Sequence, residues 1–341
     1  ISYRSNGVIR HNDRLPRIED LDSITPPAFH HIDLRRYSGF GMITSRGCPY
    51  PCTFCSVAPI WDLQSFHRSP EAIVEEIRML HDKAGADLVL FQDEFFLTGH
   101  DRVMRFCDAL RRSGVSVMWK AFGRVNLTDE DMMHAMADAG CVEIRFGIES
   151  GSDRILELTR KGFTTAQAVD VVSRACRIFR RVDAFYVWGY PFETLDDFHQ
   201  SVFQMVSFRM MGARILPSLL CLLPQTRIYR DHVDPRKLEF APDLLPEYMV
   251  TGHEVSRLAH IEIRPEHAGV FAFVRQHPDI FPGFFHLDLE TNIRPKLPVL
   301  QEFGFYPASA EELAGMESCG AHSPRVEDES RQQLATRAPG P

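Results

Sequence analysis

The sequence predicts an α/β protein, a partial TIM-like (β/α)6 barrel followed by a smaller mixed segment. Six short apolar runs recur between residues 41 and 225, amphipathic helical stretches separate them, and each connection is long enough for a crossover between parallel strands. A doubly wound open sheet shares these features, because strand order cannot be read from one sequence.

The runs are GMITSRG, ADLVLFQDE, VSVMWKAFG, CVEIRFGIES, RVDAFYVWGYP and ARILPSLLCLLP. Each holds a buried strand of about five to eight residues, the pattern of parallel strands covered on both faces. The intervening helices carry start signals. Ser69-Pro70 supplies a cap and a first-turn proline, and Ile73, Val74, Ile77 and Leu80 then form one apolar stripe. Thr128 with Asp131, and Thr194 with Asp197, read as acidic variants of the capping box. Arg102–Arg112 and Thr164–Arg180 fill two more intervals.

Around this core, 39–225, the other segments differ in composition. Residues 1–38 are polar and read as an extended linker, since Pro26 and Pro27 exclude helix there. Residues 226–304 are richer in Pro, His and aromatics and read as an accessory segment packed on the barrel. Residues 305–341 read as a disordered tail, almost without apolar content from 318 onward.

With 341 residues and 44% hydrophobic content, the chain can bury a large core. Its net charge is −8, and no Lys/Arg run forms a face for phosphate backbones, so nothing points to nucleic acid. No window reaches about 18 uncharged apolar residues, so neither a signal peptide nor a membrane span is expected. Ile1 stands where a Met would open a complete chain, which reads as a piece of something longer. Eight cysteines are too few for a disulfide scaffold, which points to a reducing, cytoplasmic setting.

Three of those cysteines crowd into GCPYPCTFC, residues 47–55. Directly after the first strand, Cys48, Cys52 and Cys55 fall on a loop at the C-terminal edge of the sheet, where such folds place their chemistry. Gly47, Pro49 and Pro51 favour turns, and three thiolates so spaced can curl around one soft metal centre. A closed zinc site needs a fourth ligand, and His67, twelve residues on, has no partner at finger spacing. A [4Fe–4S] cluster also usually takes four cysteines, so three leave one iron open.

Cys48-x3-Cys52-x2-Cys55, with Phe54 before the third cysteine, resembles the signature of the radical S-adenosylmethionine (radical SAM) superfamily. The resemblance spans residues 41–225. RSP at 68–70, FQDEFF at 91–96, GRVN at 123–126, AGCVEIRFGIESGS at 139–152, GYPFET at 189–194 and LPQT at 223–226 resemble the landmarks of its cobalamin-associated branch. It implies that the three cysteines hold a [4Fe–4S] cluster whose open iron chelates SAM. One electron then cleaves SAM to a 5′-deoxyadenosyl radical that abstracts hydrogen from substrate.

By the same resemblance Asp93 and Glu94 bind the SAM amino group and Phe54 contacts adenine. Glu149 and Ser150 face ribose or carboxylate, and Arg124 pairs with the SAM carboxylate, a task suited to guanidinium. No catalytic acid or base is assigned. The implied partners are a small-molecule or peptide substrate and an electron donor such as flavodoxin or ferredoxin; cobalamin-dependent methyl transfer is the implied reaction. Two features depart from that branch: no Asp-x-His-x-x-Gly cobalamin signature occurs here, and Phe192 stands where relatives often have Gly.

Structural readings stand beside these. A non-catalytic zinc or Fe–S electron-transfer module would also use clustered thiols. Asp93 and Glu94 fit a solvated strand end, and Glu149 a helix N-terminal charge. Cys107, Cys141, Cys176 and Cys221 read as small buried hydrophobes, and Met132, Met133 and Met136 as core. Lys161, Tyr190 and Glu193 are suggestive of a site role, and a packing or surface role fits them at least as well. Trp61, Phe66 and His67 either line the pocket or cover the barrel mouth.

Overall fold

The chain opens with a hairpin inside the stretch read as a linker: β1 (Ser2–Ser5) pairs antiparallel with β2 (Val8–His11). Its loop is Asn6-Gly7, both residues at positive φ, as a two-residue type I′ turn requires. The computed structural model describes residues 1–306 apart from 14, 38, 248, 250–256, 260 and 262, so residues 307–341 of the expected tail, Cys319 among them, lie outside the described residues.

The first apolar run divides into β3 (Phe40–Met42) and β4 (Ser45–Gly47). Next come α1 (Val57–Trp61), β5 (Ser65–His67), α2 (Pro70–Ala84) and β6 (Leu88–Phe91). They are followed by α3 (His100–Ser113), β7 (Met118–Gly123), α4 (Glu130–Asp138) and β8 (Cys141–Glu149). Then come α5 (Asp153–Leu158), α6 (Thr165–Ile178), β9 (Arg181–Trp188), α7 (Leu195–Met210) and β10 (Arg214–Leu219). The remaining elements are α8 (Arg227–His232), β11 (Glu239–Phe240), α9 (Ala268–Gln276), β12 (Phe285–His286) and α10 (Leu297–Glu302).

Six strands form one sheet in the order β3-β6-β7-β8-β9-β10. The order never reverses, whereas a doubly wound sheet needs a switch point, so the partial (β/α)6 barrel is the fold. Parallel registers run Phe40↔Val89, Leu88↔Met118 and Lys120↔Glu143.

The start signals hold at two helices and shift at a third. Ser69 Oγ accepts from the Ala72 N–H with Pro70 in the first turn, and Thr194 and Asp197 close a reciprocal capping box. At α4 the cap is Asp129, which accepts from the Met132 N–H. Thr128 instead donates its hydroxyl to the Arg124 carbonyl, at 2.8 Å. A carboxylate one residue nearer the helix reaches the orphan N–H first.

By its contacts the chain divides into two units, residues 1–147 with 166–183, and residues 148–165 with 184–341. In the first, Phe91, Phe96, Phe106 and Trp119 are all buried and pack ring against ring, with Phe91 stacked on Trp119 at 5.2 Å and edge-on to Phe106 of α3 at 5.6 Å. Each such side chain contributes about 1.5–3 kcal/mol on burial. Met132, Met133 and Met136 are core, as expected.

The other face of these strands is not apolar, contrary to the expectation of two covered faces. Lys120, Glu143 and Arg145 alternate with the core residues, and Glu143 accepts from Lys120 at 2.9 Å and from Arg145 at 2.6 Å. Asp183 lies 3.2 Å from Arg181 and 3.8 Å from Arg145. Burial opposes ionisation of Glu143, yet the Lys120 and Arg145 hydrogen bonds outweigh it and hold its pKa below the usual value.

In the second unit, the segment after the last barrel strand is tied back to β9. Lys296, 1% exposed, donates to Glu193 at 2.6 Å, and the same carboxylate accepts from the Gly189 N–H at 2.8 Å. Asn292 donates to the Tyr190 carbonyl at 3.0 Å. Phe305 and Tyr306, at the head of the stretch read as a tail, are buried, and the Tyr306 hydroxyl donates to the Pro217 carbonyl at 2.9 Å. His286 is also buried, which lowers its pKa to about 4. Among the described residues no helix is long and apolar enough to cross a membrane.

Two outcomes follow. Lys296→Met leaves a buried carboxylate uncompensated and costs about 3–5 kcal/mol in urea unfolding, with part of the loss recovered in the Lys296→Met/Glu193→Gln double variant. Because the folded state depresses the His286 pKa, its stabilisation is complete above the unfolded value near 6.5 and is lost as pH falls toward 4. Thermal unfolding between pH 7 and 4.5 then shows a decline of up to about 3 kcal/mol that is blunted in His286→Leu.

Candidate functional site

The thiol loop begins with a carboxylate. Asp93, directly after β6 and 4% exposed, accepts through one oxygen from the Thr44 N–H at 2.6 Å and the Ser45 N–H at 3.1 Å. Its other oxygen accepts from the Thr44 hydroxyl. Burial raises the Asp93 pKa, and these hydrogen bonds oppose the rise. The chain is thereby bent out of the sheet between β3 and β4, which is why one predicted strand is two.

β4 then pairs antiparallel with β5, Ser45 opposite His67 and Gly47 opposite Ser65. Gly47 has φ +82°, and a Cβ there would stand 2.2 Å from the Gln64 carbonyl oxygen. Only glycine fits. The cysteines lie in the excursion framed by this ribbon, and Glu94 braces its first strand by accepting from the Gly47 N–H at 3.2 Å. Burial of His67 lowers its pKa to about 4, with the nearby Arg102 charge adding to the effect.

Within the excursion the Cys55 N–H donates to the Cys52 carbonyl at 3.2 Å, closing a turn around Phe54, and the Val57 N–H points at the Cys55 sulfur at 3.4 Å. Cys48, Cys52 and Cys55 form no disulfide. Burial raises the Cys48 pKa; Cys52 and Cys55 add to the rise, and Arg124 opposes it. Among the described residues no three His, Cys, Asp or Glu side chains meet the geometry for one metal ion. A cluster taking one thiolate per iron does not ask for that geometry. Three reduced cysteines, Cys52 and Cys55 within electrostatic reach of Cys48, with a cation beside them, suit such a group in donor chemistry.

The cation is Arg124, between β7 and α4 and 7% exposed. Its Nη1 lies 3.7 Å from the Cys52 sulfur, its Nε donates to Asn126 Oδ1 at 2.9 Å, and its guanidinium lies 3.7 Å from the centroid of Tyr50. Tyr50 is in turn edge-on to Phe95 at 5.3 Å. Sequence reasoning overlooked Tyr50, although an aromatic between two cysteines was visible.

Glu149 and Ser150 belong to the second unit and are engaged there. Lys161 donates to Glu149 at 3.1 Å, both residues being buried. Glu149 has φ +70°, a left-handed backbone that a non-glycine residue holds at a cost of order 1–3 kcal/mol and that concentrates at functional sites. The Ser150 and Ser201 hydroxyls lie 2.9 Å apart, and Ser150 Oγ accepts from the Ser152 N–H at 3.1 Å. Lys161, suggestive in the sequence but equally readable as packing or surface, is the direct partner of a site candidate. A lysine twelve residues from a glutamate carries no periodic signal.

Residues 42–205 match the radical SAM superfamily. An uncharacterized methyltransferase of Pyrococcus horikoshii is 32% identical over 207 residues, covering 59% of this chain and 45% of that protein. The cytidylyl-2-hydroxyethylphosphonate methyltransferase of Streptomyces wedmorensis is 28% identical over 194 residues, covering 50% and 35%. The chain thus spans less than half the length of both relatives. Among solved structures, the radical S-adenosylmethionine methyltransferase TsrM of Kitasatospora setae, with cobalamin and a [4Fe–4S] cluster bound, shares the fold at TM-score 0.53 and 19% identity, covering 61% of this chain and 40% of that one.

Gly47→Ala pushes β4 and β5 apart. Labelling of Cys48 and Cys55 by a thiol reagent, read by peptide mass, accelerates several-fold over the parent, while Cys107, in the α3 core, stays protected.

Proposed function

We propose that this chain, whose residues 42–205 match the radical SAM superfamily, is an enzyme that cleaves SAM reductively at a [4Fe–4S] cluster held by Cys48, Cys52 and Cys55. The observation that carries this reading is the framed loop presenting three cysteines, none in a disulfide, beside a buried guanidinium. When bound, the cluster and SAM supply a 5′-deoxyadenosyl radical from one reducing electron.

The chain's own groups hold and shield. Asp93 fixes the loop root through Thr44 and Ser45, and Glu94 fixes Gly47. Glu94 is exposed and has a second oxygen for the SAM amino group. Phe54, half-buried between the second and third thiols, offers a ring to adenine. The guanidinium of Arg124 suits the SAM carboxylate. Glu149, oriented by Lys161, and Ser150 are assigned to the SAM ribose or carboxylate.

Methyl transfer with cobalamin is the reaction we favour, because two relatives are described as methyltransferases and a fold neighbour, itself a methyltransferase, has cobalamin bound. The substrate is a small molecule or peptide, the electron donor a flavodoxin or ferredoxin, and the setting cytoplasmic. Anaerobic reconstitution with iron and sulfide, followed by SAM and reductant, yields 5′-deoxyadenosine. Cys48→Ala, Cys52→Ala and Cys55→Ala each abolish both bound iron and that product. Iron retained in all three variants, or a fourth protein ligand with no SAM affinity, overturns the assignment.

A further inference from the structure

The guanidinium of Arg124 is held before any ligand arrives. Its Cζ lies 3.7 Å from the Tyr50 ring centroid, its Nε donates to Asn126 at 2.9 Å, and its Nη1 lies 3.7 Å from the Cys52 sulfur. A guanidinium held over a ring can donate from its edge N–H groups at the same time, as Nη1 does toward Cys52, which an ammonium cannot reproduce. Tyr50 is kept in place by Phe95, edge-on at 5.3 Å. Arg124 is buried, so its charge is weakly screened by salt.

Building on the function proposed above, we propose that Arg124, clamped by Tyr50 and Asn126, is a positioning residue that sets the reduction potential of the iron–sulfur centre through Cys52, independently of any contact with SAM. The reduced cluster carries one more negative charge than the oxidised one. A fixed cation donating to a ligand sulfur favours the more negative state and raises the potential. On ligation Cys52 becomes a thiolate, and the contact becomes a charge-assisted hydrogen bond. Tyr50 keeps the guanidinium edge on the sulfur.

The test uses the 341-residue chain with its cluster assembled anaerobically, its midpoint potential followed by electron paramagnetic resonance during a redox titration, with and without SAM. Arg124→Gln shifts the midpoint to more negative potential in the absence of SAM, and Arg124→Lys recovers part of the shift. Tyr50→Phe keeps the parent value, while Tyr50→Leu moves partway toward Arg124→Gln at unchanged iron content. A parent-like midpoint in Arg124→Gln overturns the proposal, as does a shift that appears only with SAM bound. If Arg124→Gln assembles no cluster, the Tyr50→Leu midpoint decides. A parent chain that assembles no cluster overturns the functional reading itself, an outcome distinct from a cluster whose potential ignores Arg124.

Discussion

The bond set of Asp93 is the constraint from which the thiol loop takes its form. A carboxylate placed where β6 ends meets two backbone N–H groups and a hydroxyl where β3 ends. Burial raises its pKa, and the three donors converging on it oppose that rise and pair both of its oxygens. The chain therefore leaves the sheet after Met42, and β4 is free to pair with β5. A loop with this root needs no contribution from the parallel ladder. Its flanks are closed by a ribbon, and its entry angle is set by one side chain from the neighbouring strand.

The charges on β7, β8 and β9 complement that arrangement. A barrel strand filled on both sides leaves no room beside it, whereas a row of Lys120, Glu143, Arg145 and Asp183 keeps one face polar while the aromatic face carries cohesion. The ions neutralise one another closely enough to tolerate partial burial. Stability and the polar face are thus assigned to alternate residues of the same strands, which the period of two in a β-strand permits.

The six strands, the caps at Ser69 and Thr194 and the three thiols were legible because each rests on local pattern: an apolar run, a capping side chain, a fixed spacing. The hairpin at Asn6-Gly7 was equally legible, but the prolines further along drew residues 1–38 toward a connector reading. The break between β3 and β4 was not legible, since GMITSRG is uniformly strand-like and the carboxylate that breaks it comes from 49 residues away. The cap at α4 shows a finer limit. Thr128 and Asp129 are both good cap residues, and geometry chose between neighbours. Lys161 with Glu149, and Lys296 with Glu193, pair across turns and segments, so no periodicity marks them.

The lysine at 296 has a meaning for where this polypeptide can be divided. Strand–helix alternation ends near residue 225, which makes that point look like a natural place to cut. Yet the GYPFET turn after β9 carries an acid whose neutralising cation arrives 103 residues later. Ending the chain at 225 would strand an anion in an apolar interior with only the Gly189 amide to steady it. The later segment is therefore a structural component of the unit that contains Glu193, and any piece cut before Lys296 loses that pair.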